Sequence, residues 1–287
     1  MKLLIPLVLS LLCLVPLPAN SAPNPPPALP PIPAALQGLN PQLSFVEREL
    51  QVSLRSATPL TSEQWDALAS LHPRRLHFHE NALADEGVER LLAIQPVSLS
   101  LNVSPLTGKG VAALARIPTL VLLATNHTVR PTPEAENAFR NHPSLEHFST
   151  IGPFCIEALR APRLKKVTLQ HGASNNAHVA MLAHHPNLEF LSLGQYGGAT
   201  LDNGALPSIA TLPELRTLKI FLADLTFADG LRHLVGHPKL ASLELLEVNL
   251  PEGDLDQLRA AMPQLKITHT PMSDASRAKR DALLKRK

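Results

Sequence analysis

Residues 182–194 read LAHHPNLEFLSLG, and residues 234–246 read LVGHPKLASLELL. Both contain the pattern Pro-x-Leu-x-x-Leu-x-Leu, which ends in an alternation of apolar and polar residues. Such alternation is typical of a short strand with one buried face. Complete or degenerate copies recur with a mean period of about 24 residues, aligned on Pro73, Pro96, Pro118, Pro143, Pro162, Pro186, Pro213, Pro238 and Pro263.

Between the predicted strands lie segments whose apolar residues are three and four positions apart, such as 87–94 (GVERLLAI) and 110–117 (GVAALARI). This spacing predicts short helices, each of which stops before the next proline. One strand–turn–helix unit cannot bury both of its apolar faces, whereas stacked units bury them in a continuous core. We therefore predict an α/β solenoid with a parallel sheet on one side and helices on the other, and an earlier degenerate repeat at 50–54.

These repeats resemble those of leucine-rich repeat proteins, of the ribonuclease-inhibitor-like type that alternates strands and helices. The resemblance covers residues 41–270 and implies a horseshoe with the parallel β-sheet on its concave face and short helices on its convex face. It also implies that a ligand binds on the concave face, where every second strand side chain points. The strand register is ambiguous by one residue at 119–126, where the repeat pattern weakens.

The first 21 residues have one lysine, an apolar run and then small residues, the layout of a secretory signal peptide. We expect cleavage after Ser21, no transmembrane segment in the mature chain, and a secreted or periplasmic protein. An uncleaved apolar anchor is the alternative. Residues 22–40 are predicted to form a Pro-rich linker in extended polyproline conformation. A less favoured alternative is that this segment is a ligand for an aromatic groove of a partner protein.

Composition narrows the possible partners. The net charge of +2 gives no field that would draw the protein to nucleic acid. Removal of the signal peptide leaves Cys155 as the single cysteine, so we predict a small buried apolar residue there and no internal disulfide.

The basic C-terminal tail, 271–287, is expected to be disordered. Two alternatives are a short helix on the last repeat and a weak contact with an anionic surface.

We predict that side chains at alternate strand positions form the ligand-binding surface. Its amino-terminal half is polar and mildly basic, and its carboxyl-terminal third carries aromatic residues, which are good interface candidates in a chain with only 3% aromatics. The alternative is that these aromatic residues pack on one another across adjacent strands. The predicted ligand-binding residues are Arg75, His77, His79, His147, Lys166, Thr168, Gln170, Phe190, Tyr196, Lys219, Phe221 and Glu244.

The histidines raise the question of a metal site. His77 and His79 point the same way from one strand, beside Glu80, but this pair is a weak metal signal. Four further histidines each precede a repeat proline and are predicted to meet free carbonyls at helix C-termini: His72, His142, His185 and His237. We therefore assign no metal and no cofactor.

Motifs for nucleophilic, zinc-dependent or nucleotide-dependent catalysis are missing from the sequence. The leading hypothesis is an exported, non-catalytic, monomeric binding module that recognises a protein or cell-surface ligand. A structural envelope protein, attached through the basic tail or the Pro-rich segment, is the second hypothesis. A metal-dependent enzyme is the least favoured.

Overall fold

One 11-stranded sheet runs through the domain, with its strands in chain order. The computed structural model describes residues 27–126, 132–194 and 201–284. The strands are β1 (Gln42–Val46), β2 (Glu49–Ser56), β3 (Arg75–Glu80), β4 (Ser98–Asn102), β5 (Leu122–Asn126), β6 (His147–Ile151), β7 (Lys166–Gln170), β8 (Phe190–Gly194), β9 (Thr217–Phe221), β10 (Ser242–Leu246) and β11 (Lys266–Thr270). The β1–β2 pair is antiparallel, and the pairs from β2 to β11 are parallel.

The strands form because their side chains alternate between two environments. In β8, Leu191 and Leu193 are buried, whereas Ser192 between them is half-buried on the opposite face. The buried strand residues join one apolar core with the helices, from Leu36 to Leu265. We call the sheet face opposite to this core the open face. The predicted α/β solenoid, with a parallel sheet and short helices, is confirmed.

The structure removes the ambiguity of register in β5. Leu123 and Thr125 point into the core, and Leu122 lies on the open face. The buried Thr125 hydroxyl donates to the Thr150 hydroxyl at 2.9 Å, and Thr150 in turn donates to the carbonyl of Gly152 at 2.7 Å. A hydrogen-bonded threonine pair therefore replaces two core leucines, which explains why the repeat pattern weakens here.

The other side of the sheet carries short helices. They are α1 (Ser62–Ser70), α2 (Asp85–Ile94), α3 (Gly108–Leu114), α4 (Pro133–Asn137), α5 (Asn176–Ala180), α6 (Leu206–Ala210) and α7 (Asp254–Ala261), and a last helix, α8 (Asp274–Leu284), follows β11. Shorter 3₁₀ segments are Ala34–Leu39, Ile156–Arg160, His171–Ala173, Asn203–Ala205 and Leu231–Leu234. Helices this short are marginal alone, so packing on the sheet holds them. The finer ribonuclease-inhibitor-like assignment stays an expectation, because 3₁₀ turns replace α-helices in some repeats.

Histidines before the repeat prolines connect neighbouring repeats. Their Nε2 atoms lie within hydrogen-bond distance of carbonyl oxygens one repeat earlier: His142 to Ile117 at 3.1 Å, His185 to Ala161 at 2.9 Å and His237 to Leu212 at 2.8 Å. The predicted contact with free carbonyls is thus confirmed for three of the four histidines. The ring of His72 makes no such bond within the described residues.

The contacts of His142 and His237 require neutral rings, because the Nδ1 atom of each also accepts from a backbone N–H. The Nδ1 atom of His237 accepts from the backbone N–H of Leu240 at 3.0 Å, while its Nε2 faces a carbonyl, which only accepts. The proton must therefore be on Nε2 alone. Burial lowers the pKa of His237 from its usual 6.5, against the opposing effect of the hydrogen bond to Leu212. Burial lowers the pKa of His142 in the same way.

The folded domain extends beyond the predicted limits of 41 and 270. Before residue 41, the 3₁₀ segment Ala34–Leu39 buries Leu36 and Leu39 in the core, so part of the predicted linker belongs to the domain. The predicted signal peptide and residues 22–26 lie outside the described residues. No helix among the described residues is long and apolar enough to cross a membrane.

The expectation of a disordered tail is wrong for residues 274–284, which form α8. Arg280 binds the carboxylate of Asp224 at 2.7 Å, and Arg277 donates to the side chain of Asn249 at 2.9 Å. Burial raises the pKa of Asp224, but the hydrogen bonds from Arg280 and Asn249 and the charges of Arg280 and Arg277 outweigh this effect, so the pKa is lowered from its usual value. The tail is therefore docked on the last repeats through its basic residues.

Cys155 is fully buried, as predicted, and forms no disulfide among the described residues. Burial raises the pKa of its thiol well above the usual 9.0, with a smaller contribution from the charge of Glu136. A thiol in this state is a poor nucleophile, so Cys155 acts as a small apolar core residue.

Histidine protonation should weaken the fold. The folded-state pKa values of His142 and His237 lie below 6.5, so the unfolded chain binds more protons as the pH falls through about 6.5. We expect the free energy of unfolding, measured by urea titration, to be lower at pH 5.5 than at pH 7.5. The variant His142→Gln/His237→Gln should lose less stability over this range than the parent. Equal losses in the two proteins would contradict the assignment of neutral rings.

Candidate binding surface

The open face carries three aligned columns of side chains. Because parallel strands pair in register, positions one, three and five of successive strands lie side by side. The predicted residues on the first column are Arg75, His147, Lys166 and Phe190, those on the second are His77, Thr168, Lys219 and Glu244, and those on the third are His79, Gln170 and Phe221. Tyr196 lies outside the described residues. A role in ligand binding stays a prediction for all of them.

Arg75 is held by the amino-terminal hairpin. Its Nη2 lies 2.8 Å from a carboxylate oxygen of Glu47, and its Nε lies 2.9 Å from one of Glu49. The Arg75 side chain is only 17% exposed as a result. Two residues of the hairpin turn, Glu47 and Arg48, have positive φ values of 51° and 67°, as a two-residue turn between twisted strands requires. Arg75 therefore ties the hairpin turn to β3 and is less available to a ligand.

Of the two histidines of β3, His79 is held by polar neighbours and His77 is half-buried beside it. The Nε2 atom of His79 lies 3.1 Å from the Ser53 hydroxyl, and its Nδ1 lies 3.4 Å from the amide nitrogen of Asn102. Burial lowers the pKa of His77, and the charges of His79 and Arg75 lower it further. No group of three or more His, Cys, Asp and Glu side chains that could hold a metal ion occurs in the described parts of the chain. The metal hypothesis thus has no third ligand there.

The middle of the face is basic on its first column. His147 pairs in register with Lys166 on the neighbouring strand, and Lys166 is exposed. Burial lowers the pKa of His147, and the nearby Lys166 ammonium is the next contribution. Thr168 and Gln170 follow on the second and third columns of the same strand, both half-buried. This region presents one exposed cation with neutral polar neighbours.

The carboxyl-terminal third combines aromatic and charged groups. The Lys219 ammonium lies 2.9 Å from a carboxylate oxygen of Glu244 and 5.8 Å from the centre of the Phe190 ring. Both contacts are attractive for a cation. Phe221 lies on the third column beside this group and is half-buried. We call Phe190, Lys219, Phe221 and Glu244 the aromatic patch.

Register separates the two phenylalanines of the patch. Phe190 on the first column is paired with Thr217, whereas Phe221 on the third column is paired with Leu246. Cross-strand packing needs side chains opposite each other or on a close diagonal. The alternative in which these two rings mainly pack on one another is therefore not favoured by the register.

Sequence reasoning missed one region of this face. A cavity of about 400 Å³ lies at the amino-terminal end of the strands, beneath the hairpin, and includes Val97, Val121 and Leu122 in its lining. The register of Leu122 was ambiguous in the sequence, and the hairpin was not predicted. A signal was present: valine precedes β4 and β5, where the corresponding residues in four later repeats are charged, namely Glu146, Lys165, Glu189 and Arg216.

Comparison with known proteins gives little further guidance. No protein-family model matches the sequence, and no curated protein matches it. Among solved structures, an internalin from Listeria monocytogenes is similar at 11% identity, with 78% of this chain and 87% of that chain covered and a TM-score of 0.34. A similarity this low carries no argument about fold or function.

Gly194 is required where β8 meets the aromatic patch. Its φ is 118°, and an added Cβ would lie 2.1 Å from the carbonyl oxygen of Phe221. We expect Gly194→Ala to lower the free energy of unfolding by about 3 kcal/mol, since backbone strain and overpacking add. Gly152→Ala is the control, because Gly152 also has a positive φ, of 89°, but open space around it. Urea unfolding should show a smaller loss for Gly152→Ala, and equal losses would contradict the close approach.

The fold is therefore assigned from the protein's own repeats and sheet. The repeat period of about 24 residues, the parallel strands in chain order and the continuous leucine core together define it. The protein has the fold of a leucine-rich repeat solenoid.

Proposed function

We propose that the protein is an exported, non-catalytic, monomeric module that binds a protein or cell-surface ligand through the open face. The observation that carries the proposal is the aromatic patch, in which Phe190, Lys219, Phe221 and Glu244 stand together on three adjacent strands. Aromatic side chains such as phenylalanine are enriched at protein interfaces relative to the rest of the protein surface.

The scaffold suits recognition because it is already ordered. The patch residues lie on paired strands over a buried core, so little conformational entropy is lost when a partner binds. Phe190 and Phe221 are half-buried, which leaves part of each ring to contact a partner. An extended row of strands also offers a long surface, the usual use of repeat proteins.

The amino-terminal half of the open face is a weaker candidate. Arg75 is bound by Glu47 and Glu49, and both ring nitrogens of His79 have polar neighbours. A ligand that used these groups would first have to replace their present partners, which costs free energy. The proposal therefore assigns the principal contacts to the aromatic patch.

Export is supported by the apolar run and small residues at 1–21. Attachment through the basic tail, the basis of the structural alternative, gains no support from α8. Arg277 and Arg280 are both engaged with residues of the last repeats, which leaves fewer free cations for an anionic surface.

The test is affinity capture from an envelope extract of the source cell, with the exported protein as bait. The bait variants are Phe190→Ala/Phe221→Ala on the patch and Val235→Ala as control, because Val235 is 42% exposed on the helix side. Circular dichroism establishes that each bait is folded. We expect the parent and the control to retain a component that the double variant binds about 30-fold more weakly, the loss expected for interface hot spots. Equal retention by all three would overturn the assignment of the open face.

A further inference from the structure

The cavity at the amino-terminal end of the strands is made by two parts of the chain that are distant in sequence. Val46 and the hairpin carboxylates Glu47 and Glu49 form one wall. Val97, Val121 and Leu122, which precede or begin β4 and β5, form the apolar floor. The volume of about 400 Å³ is within the range of sites for small molecules.

The hairpin is fixed in this position by ion pairs. Glu47 and Glu49 approach Arg75 at 2.8 and 2.9 Å, so the wall is tied to β3 in the absence of a ligand. The floor is equally fixed, since the Val121 N–H donates to the Val97 carbonyl at 2.8 Å. The cavity is thus preformed between ordered elements, which lowers the cost of binding.

The charges around the cavity differ between its two ends. At the hairpin end, the carboxylates share Arg75, and Arg74 lies 4.0 Å from Glu49, so these charges already have partners. At the other end, His147 lines the cavity and pairs in register with exposed Lys166. Within the described residues, the Lys166 ammonium has no ion-pair partner. Lys166 is not itself part of the lining; as the register neighbour of His147, it places an unpaired cation beside this end of the cavity.

We propose that this cavity binds a small amphipathic monocarboxylate. The apolar body of the ligand lies on Val46, Val97, Val121 and Leu122, which removes their half-exposed side chains from water. The carboxylate faces His147 and the Lys166 ammonium. The site is independent of the proposed function, because it uses none of the residues of the aromatic patch.

A ligand-observed NMR titration of the full chain tests the proposal, with octanoate as the probe. We expect saturable binding with a dissociation constant on the order of 1 mM, as is usual for a ligand of about ten heavy atoms in a partly exposed site. Octanamide, which has the same chain without the charge, should bind about 5-fold more weakly, the effect of one exposed ion pair. Octylamine should bind more weakly still. Absence of saturable octanoate binding, or equal binding of octanamide, would overturn the proposal.

Two variants locate the site on the protein. Leu122→Asp places a charge on the cavity floor and should weaken octanoate binding at least 10-fold, whereas Val235→Asp places the same charge on the helix side and should have no effect.

Lys166→Gln changes an exposed side chain and is expected to leave the fold intact. It should reduce octanoate affinity about 5-fold without changing that of octanamide. Unchanged octanoate binding by folded Leu122→Asp or Lys166→Gln would sink the assignment.

Discussion

The structure depends on one constraint: a single repeat cannot bury both its strand face and its helix face. Helices of five residues such as α4, α5 and α6 have no stability of their own, and their buried residues contact core residues of neighbouring repeats. Stacking therefore supplies the core that no unit has alone. Hydrogen bonds cross the same boundaries, as in the contacts of His142, His185 and His237 with carbonyls one repeat earlier.

Stacking also creates the surfaces that this protein can use. Because successive strands align in register, residues about 25 positions apart become neighbours, which brings Lys219 to both Glu244 and Phe190. The amino-terminal hairpin of β1 and β2 adds a second effect, since its carboxylates reach Arg75 and line the cavity beside β4 and β5. The aromatic patch and the cavity lie at different places on one face. The patch combines aromatic rings with an ion pair, whereas the cavity has an aliphatic floor.

The sequence was most informative where a local pattern repeats. The alternation in Leu191-Ser-Leu193 predicts one buried face whichever neighbour packs on it, and the open-face positions follow from the same alternation. The alternation did not decide the register of β5, because Leu122 and Leu123 are both apolar. Thr125 takes a core position there through its hydrogen bond with Thr150. At the two ends, the degenerate repeat at 50–54 predicted β2, but the repeat pattern did not predict its antiparallel partner β1, and a helix was only one of the alternatives for the tail that forms α8.

The sequence by itself determined the repeat unit, its period and the face on which each regular strand residue lies, because these depend on spacing within about 24 residues. Only the tertiary structure decided which polar groups are free and which are bound. Arg75 and Lys166 look equivalent in sequence, yet Arg75 is held between two glutamates and Lys166 is exposed. The physical reason is that ion pairing and cavity formation depend on residues brought together by stacking, at distances that no local pattern encodes.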